Sequence, residues 1–168
     1  MDFELAATFS RRDLPGLTDV PATRLGNWLD RLALWQQIPM IPGGHIAYRL
    51  THLFDLVGLA AMIDIGLAAA DAASIVRNFG FYRSFIHDPE QIFRLTKRPD
   101  HWSASWSSDD IAIVTINTRA IGQQLLERVA ALNLAPTYRD GFDALISELA
   151  RHDRVDAARI SASAREAA

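Results

Sequence analysis

The chain has 168 residues, 49% of them apolar and 22% charged; this is enough for a core of about one to one and a half domains and excludes a disordered chain. It has no cysteine, which excludes disulfides, thiolate metal sites and cysteine nucleophiles. The net charge of −3 counts against a strongly basic nucleic-acid binder, although Arg11, Arg12, Arg24, Arg31 and Arg49 outnumber Asp13, Asp19 and Asp30 over residues 9–52, leaving that stretch locally positive.

The first nine residues read as an arm or a strand, and with acids but no early base they do not read as a signal peptide. Ser10 can cap a short helix over 11–17, with Asp13 at the capping-box position and Pro15 limiting its regularity. A turn at 18–21 follows, with Thr18 or Asp19 able to cap the next helix and Pro21 suited to its first turn. Over 22–34, Leu25, Trp28, Leu29 and Leu32 recur at helical spacing, while Thr23, Arg24, Asn27 and Arg31 take the other side. Gly26 interrupts this helix and would let a backbone approach closely.

Residues 35–50 hold two prolines and a Gly-Gly pair, and predict a two-stranded ribbon over 37–41 and 46–50 with Pro42-Gly43-Gly44-His45 at its tip. Thr51 then caps a helix over 52–65 that Gly66 ends, and a second helix runs over 68–78 before Gly80. Asp55, Asp64 and Asp71 interrupt the apolar region 53–76, which therefore predicts packed helices and no membrane span.

From Phe81 the chain turns aromatic, and residues 81–116 predict a small antiparallel sheet in which the run Ile-Ala-Ile-Val-Thr-Ile supplies a buried strand. Trp102 and Trp106 fall on one face of a strand; core packing is favoured there over a ligand pocket or dimer interface. Asn117 or Thr118 caps a helix reaching residue 132, Pro136 breaks it, and another helix spans 140–151. The alanine-rich end, 153–168, reads as a frayed helix or a flexible tail.

Ala22-Thr23 opening a helix, its aromatic Trp28 and basic Arg31, the sequence Gly43-Gly44-His45-Ile46-Ala47-Tyr48-Arg49-Leu50, and the step Ile63, Gly66, Leu67, Ala72 together resemble the N-terminal winged helix-turn-helix of MerR-like transcription regulators. The resemblance covers residues 10–79, somewhat under half of the chain, and is nearest to small, atypical bacterial and phage members. It departs from the family at Arg31-Leu32-Ala33-Leu34, where a glycine usually ends the recognition helix, and in lacking the long C-terminal coiled-coil helix. Without cysteine, the family's mercury- and copper-type sensing is excluded.

The expected fold is thus α+β and mostly helical: a winged helix-turn-helix over 10–79, an α+β dimerisation or partner domain over 80–152, and the tail. The resemblance implies a homodimeric, sequence-specific regulator that binds double-stranded DNA in the bacterial cytoplasm at the nucleoid. Helix 22–34 would enter the major groove, where arginine reads guanine and asparagine reads adenine, and the wing 37–50 would lie on the flanking backbone. The candidate DNA-binding residues are Arg11, Arg12, Thr23, Arg24, Asn27, Arg31, His45, Tyr48 and Arg49. The rival expectations are a non-catalytic adaptor that uses the same module for protein–protein contact, with residues 80–152 available to a partner, and a ligand-responsive regulator. No catalytic arrangement, cofactor motif or metal-ligand spacing is expected: His87, His101 and His152 lack suitably placed acids, and Asp109-Asp110 suggests a turn.

Overall fold

A computed structural model of the chain describes residues 7–35, 40–41, 45–88, 90–105, 114–152 and 155–167. Two short helices come first, α1 (Leu14–Thr18) and α2 (Ala22–Arg31). A hairpin of β1 (Met40–Ile41) and β2 (His45–Ile46) precedes α3 (Leu50–Asp64), α4 (Ala69–Phe79) and α5 (Phe81–His87). The sheet strands β3 (Ile92–Lys97), β4 (Trp102–Ser105) and β5 (Val114–Asn117) follow, then α6 (Thr118–Ala130), α7 (Pro136–Arg151) and α8 (Ala157–Glu166).

Local chemistry sets most boundaries. The Ser10 N–H and hydroxyl both donate to Asp13 Oδ2, at 2.9 and 2.7 Å, and fix the turn that leads into α1. Asp19 ends α1 in the left-handed region at φ 60°. The Asn117 side chain caps α6 by accepting from the Ala120 N–H at 3.0 Å. Pro136 opens α7 rather than merely ending α6, because a proline in the first helical turn gives up an N–H that had no partner anyway; α7 therefore begins four residues earlier than its periodicity predicts. The end of the chain forms the helix α8, capped by Asp156 through the Arg159 N–H and anchored by buried Ile160.

The centre of the molecule is α3, buried almost all round through Leu53, Phe54, Leu56, Val57, Leu59 and Met62. Helices α1, α4, α5 and α6 surround it. Close approach needs two glycines: a Cβ at Gly58 would lie 2.4 Å from the Phe81 ring, and one at Gly122 2.4 Å from the Phe85 ring. The sheet has the order β4-β3-β5 and is antiparallel throughout, with Arg94 opposite Ser105 on one side and Thr115 on the other. It packs through β3 on α5 and α6 and through β4 on α4. The apolar run expected as a buried strand is an edge strand over its described part, with Ile116 buried and Val114 half-buried. Buried residues from Ala7 to Ile160 form one continuous cluster, so the core crosses the boundary expected at residues 79–80.

Among the described residues, no helix is long and apolar enough to cross a membrane, and no group of three or more His, Asp or Glu residues could hold a metal ion.

Candidate nucleic-acid interface

Helix α2 buries Leu25 and Trp28, half-buries Leu29, and leaves Thr23, Arg24, Asn27, Asp30 and Arg31 exposed. At 3.6 residues per turn these exposed side chains form one band, with Asp30 at one edge and Arg24 at the other. Each edge carries an ion pair. Arg11 reaches Asp30 at 3.1 Å, and Arg24 reaches Asp64 at the end of α3 at 3.2 Å while its guanidinium sits 5.8 Å from the Trp28 ring centroid. Thr23, Asn27 and Arg31 lie between them, and Arg31 makes no hydrogen bond or ion pair among the described residues; the same holds for exposed Arg12. Gly26 is half-buried beside Arg11, whose Nη2 lies 3.6 Å from where a Cβ would stand, so its place is filled by a side chain of the protein itself.

The second strand of the hairpin, His45–Ile46, is shorter than the 46–50 expected, and residues 37–39 of the first lie outside what is described. Met40 pairs with Ile46 and Ile41 with His45, and the turn at 42–44 and the His45 side chain lie outside what is described. Beyond Ile46 the chain leaves β1 and pairs with the N-terminal arm: Phe9 N–H donates to Tyr48 O at 2.7 Å, and Tyr48 N–H to Phe9 O at 3.0 Å. This corrects the place of Tyr48. Its side chain is 1% exposed and packs edge-on to Trp35 and His52, with ring centroids 6.0 and 6.3 Å away, so it belongs to the core and not to the outer surface. Burial also pushes its hydroxyl above the usual tyrosine range. Arg49 is half-buried at the N-terminal end of α3.

The fold also assembles a cleft of about 620 Å³ that the spacing of residues along the chain does not announce. Trp35 and Leu34 line it from the segment after α2, His52 and Asp55 from α3, and Arg77, Phe79 and Arg83 from α4 and α5. The Asp55 carboxylate accepts from the Trp35 indole N–H and the Phe81 backbone N–H, both at 3.0 Å. Desolvation raises its pKa to about 6, against the two hydrogen bonds that favour the charged form. His52 accepts the Arg49 backbone N–H at Nδ1, which leaves Nε2 to carry the proton of the neutral ring. Burial, helped by the nearby Arg49 charge, lowers its pKa to about 4. Its ring is 4.5 Å from that of Trp35. Arg77 donates to Leu32 O at 2.8 Å and so satisfies a carbonyl at the end of α2.

The expected alternative pocket at Trp102 and Trp106 has a different outcome. Trp102 is half-buried, with Lys97 Nζ 5.3 Å from its ring centroid, and Trp106 lies outside the described residues. No protein-family model, curated protein or solved structure matches the chain.

Proposed function

We propose that the chain is a DNA-binding transcription regulator of MerR-like type that acts as a homodimer in the bacterial cytoplasm, with α2 entering the major groove and the β1–β2 hairpin on the flanking backbone. The observation that carries this reading is the exposed band Thr23, Asn27 and Arg31 on α2, bracketed by Arg11 and Arg24. Asparagine and arginine are the side chains that read adenine and guanine edges, each good pair contributing about 1–3 kcal/mol of discrimination. The flanking ion pairs do not oppose it, because solvent-exposed pairs contribute only about 0–1 kcal/mol and exchange readily for phosphate. Two copies are invoked because one short reading helix covers only half a site. Ile46 on the hairpin and Ile65 after α3 are exposed large apolar side chains, which favour protein–protein contact as the rival use of this end of the molecule.

The test is retention of genomic DNA fragments by the purified protein at about 50 and 200 mM salt, followed by sequencing. The expected result is enrichment of a two-fold symmetric site that weakens steeply with salt. Asn27→Ala combined with Arg31→Ala, both on an exposed face, should abolish the enrichment while leaving the fold intact. Retention without sequence preference, or retention unchanged in the double variant, would remove α2 as the reading element.

A further inference from the structure

We infer that the cleft between Trp35, α3 and the junction of α4 with α5 is a binding site for a small aromatic carboxylate that also carries a hydrogen-bond donor. The inference stands apart from DNA binding and concerns a different set of residues.

The lining divides into parts that match such a molecule. Leu34, Val76 and the ring of Phe79 give an apolar surface, and the Trp35 indole adds an aromatic one. The cleft volume of about 620 Å³ falls within the range of small-molecule sites, about 300–1,000 Å³. The cationic part is made by Arg77 and Arg83. Among the described residues Arg83 is exposed and makes no hydrogen bond or ion pair, and Arg77 makes one hydrogen bond, to Leu32 O. A guanidinium presents five donors in a fixed fork that fits a carboxylate. His52, neutral in its ordinary state here, supplies a further N–H at Nε2.

The acidic part is Asp55. Each of its oxygens already accepts one hydrogen bond from the protein, which fixes the carboxylate in place, and each retains a second lone-pair site. A ligand made only of carboxylate and hydrocarbon leaves those sites unused. A ligand with a hydroxyl or ring N–H fills one. The set of groups thus selects an aromatic acid with a donor over an inorganic anion, which would not cover the apolar lining, and over an aromatic amine, which the two arginines repel.

The experiment is calorimetric titration of the full chain at neutral pH with 4-hydroxybenzoate, indole-3-acetate, 4-hydroxybenzamide and inorganic phosphate. The expected result is binding of at least one of the two aromatic acids with a Kd below about 1 mM, no comparable binding of the neutral amide or of phosphate, and quenching of tryptophan fluorescence that disappears in Trp35→Phe. Arg83→Gln, whose side chain holds nothing in the fold, should weaken the acid by about tenfold, the scale of one lost charge-assisted contact. Arg98→Gln, exposed at the β3–β4 turn, should not. Failure of both acids to bind, equal binding of the amide, or unchanged affinity in Arg83→Gln overturns the assignment. None of these outcomes bears on retention of DNA.

Discussion

At the residue scale, His52 and Asp55 share a helix and a cleft but titrate against each other. Asp55 has its folded pKa raised to about 6 from 3.8, so the folded state binds its proton more tightly than the unfolded chain does. Its contribution to stability is present at acid pH and is lost as pH rises from about 4 to about 6. His52 has its folded pKa lowered to about 4 from 6.5, so the unfolded chain binds the proton more tightly. Its contribution is lost as pH falls from about 6.5 to about 4. The two windows overlap with opposite sign. Urea midpoints between pH 4 and 6.5 should therefore rise more steeply with pH in Asp55→Asn than in the parent, and should rise less or fall in His52→Gln. Equal slopes in all three proteins would show that neither group is desolvated as described. A second residue-scale prediction concerns Ala33, which takes φ 43° just after α2, in the left-handed region that favours glycine. The left-handed conformation costs a non-glycine residue about 1–2 kcal/mol, against about 0.5–1 kcal/mol for the greater freedom glycine loses on folding. Ala33→Gly should stabilise the protein by about 0.5–1 kcal/mol, read as a raised urea midpoint with an unchanged slope.

At the element scale, what the sequence discloses depends on whether the signal is local. The outer band of α2, the Asn117 cap and the helix pair after the hairpin rest on spacing within each element, and they stand where spacing puts them; the sheet expected over 81–116 begins only at Ile92, because Phe81–His87 forms the helix α5, whose aromatic side chains pack on Phe54 of α3. The cleft does not, because Trp35, Asp55 and Arg83 come from three elements and meet only in the folded molecule. Tyr48 departs from the wing surface for a related reason. As a wing residue it could face either way, and what turns it inward is pairing with Phe9, far upstream in the N-terminal arm, and packing on Trp35 and His52. Gly58 and Gly122 carry no local signal of their role, since a glycine inside a helical pattern reads only as a weakness of that helix. Their role is to let aromatic rings in. Phe81 lies against Gly58, and Phe85 and Phe54 lie against Gly122. Alanine normally stabilises a helix interior by about 1 kcal/mol relative to glycine. At Gly122 the sign should reverse, with Gly122→Ala costing about 1–3 kcal/mol because the new methyl overlaps two rings of the core. A thermal midpoint at or above that of the parent would mean that the rings can retreat and that the packing there is looser than the contacts imply.

At the scale of the whole molecule, the decisive feature is that one core serves both halves. Helix α3 follows the hairpin in sequence, yet its Phe54 ring packs on Tyr82 and Phe85 of α5, with centroids 5.2 and 4.8 Å away, and sits under Gly122 of α6. The halves are also tied at the surface, where Arg128 on α6 reaches Asp19 at 3.1 Å and the carbonyl of Leu17. Arg159 on α8 pairs with Glu127 on α6 at 2.7 Å, which holds the last helix to the same body. Each of these pairs has one well-exposed partner and contributes little, so cohesion comes from the apolar side, where Leu125, Leu126 and Val129 of α6 are fully buried. A fragment ending at residue 79 would present the faces of α3 that α5 and α6 now cover to water. It would lose the burial of Phe54 together with all of Phe81 and Phe85, at about 1.5–3 kcal/mol per large apolar side chain, which is a large share of the 5–15 kcal/mol that holds a typical domain together. The expectation is that residues 1–79 do not fold alone, and that the intact chain unfolds in urea in a single transition. That transition should have the same midpoint by far-UV circular dichroism and by the fluorescence of a variant keeping Trp28 as its only tryptophan. A separate, earlier midpoint for the Trp28 signal, or a cooperatively folded 1–79 fragment, would instead mean that the N-terminal module is a self-sufficient domain and that the rings shared across residue 80 contribute less than their burial suggests.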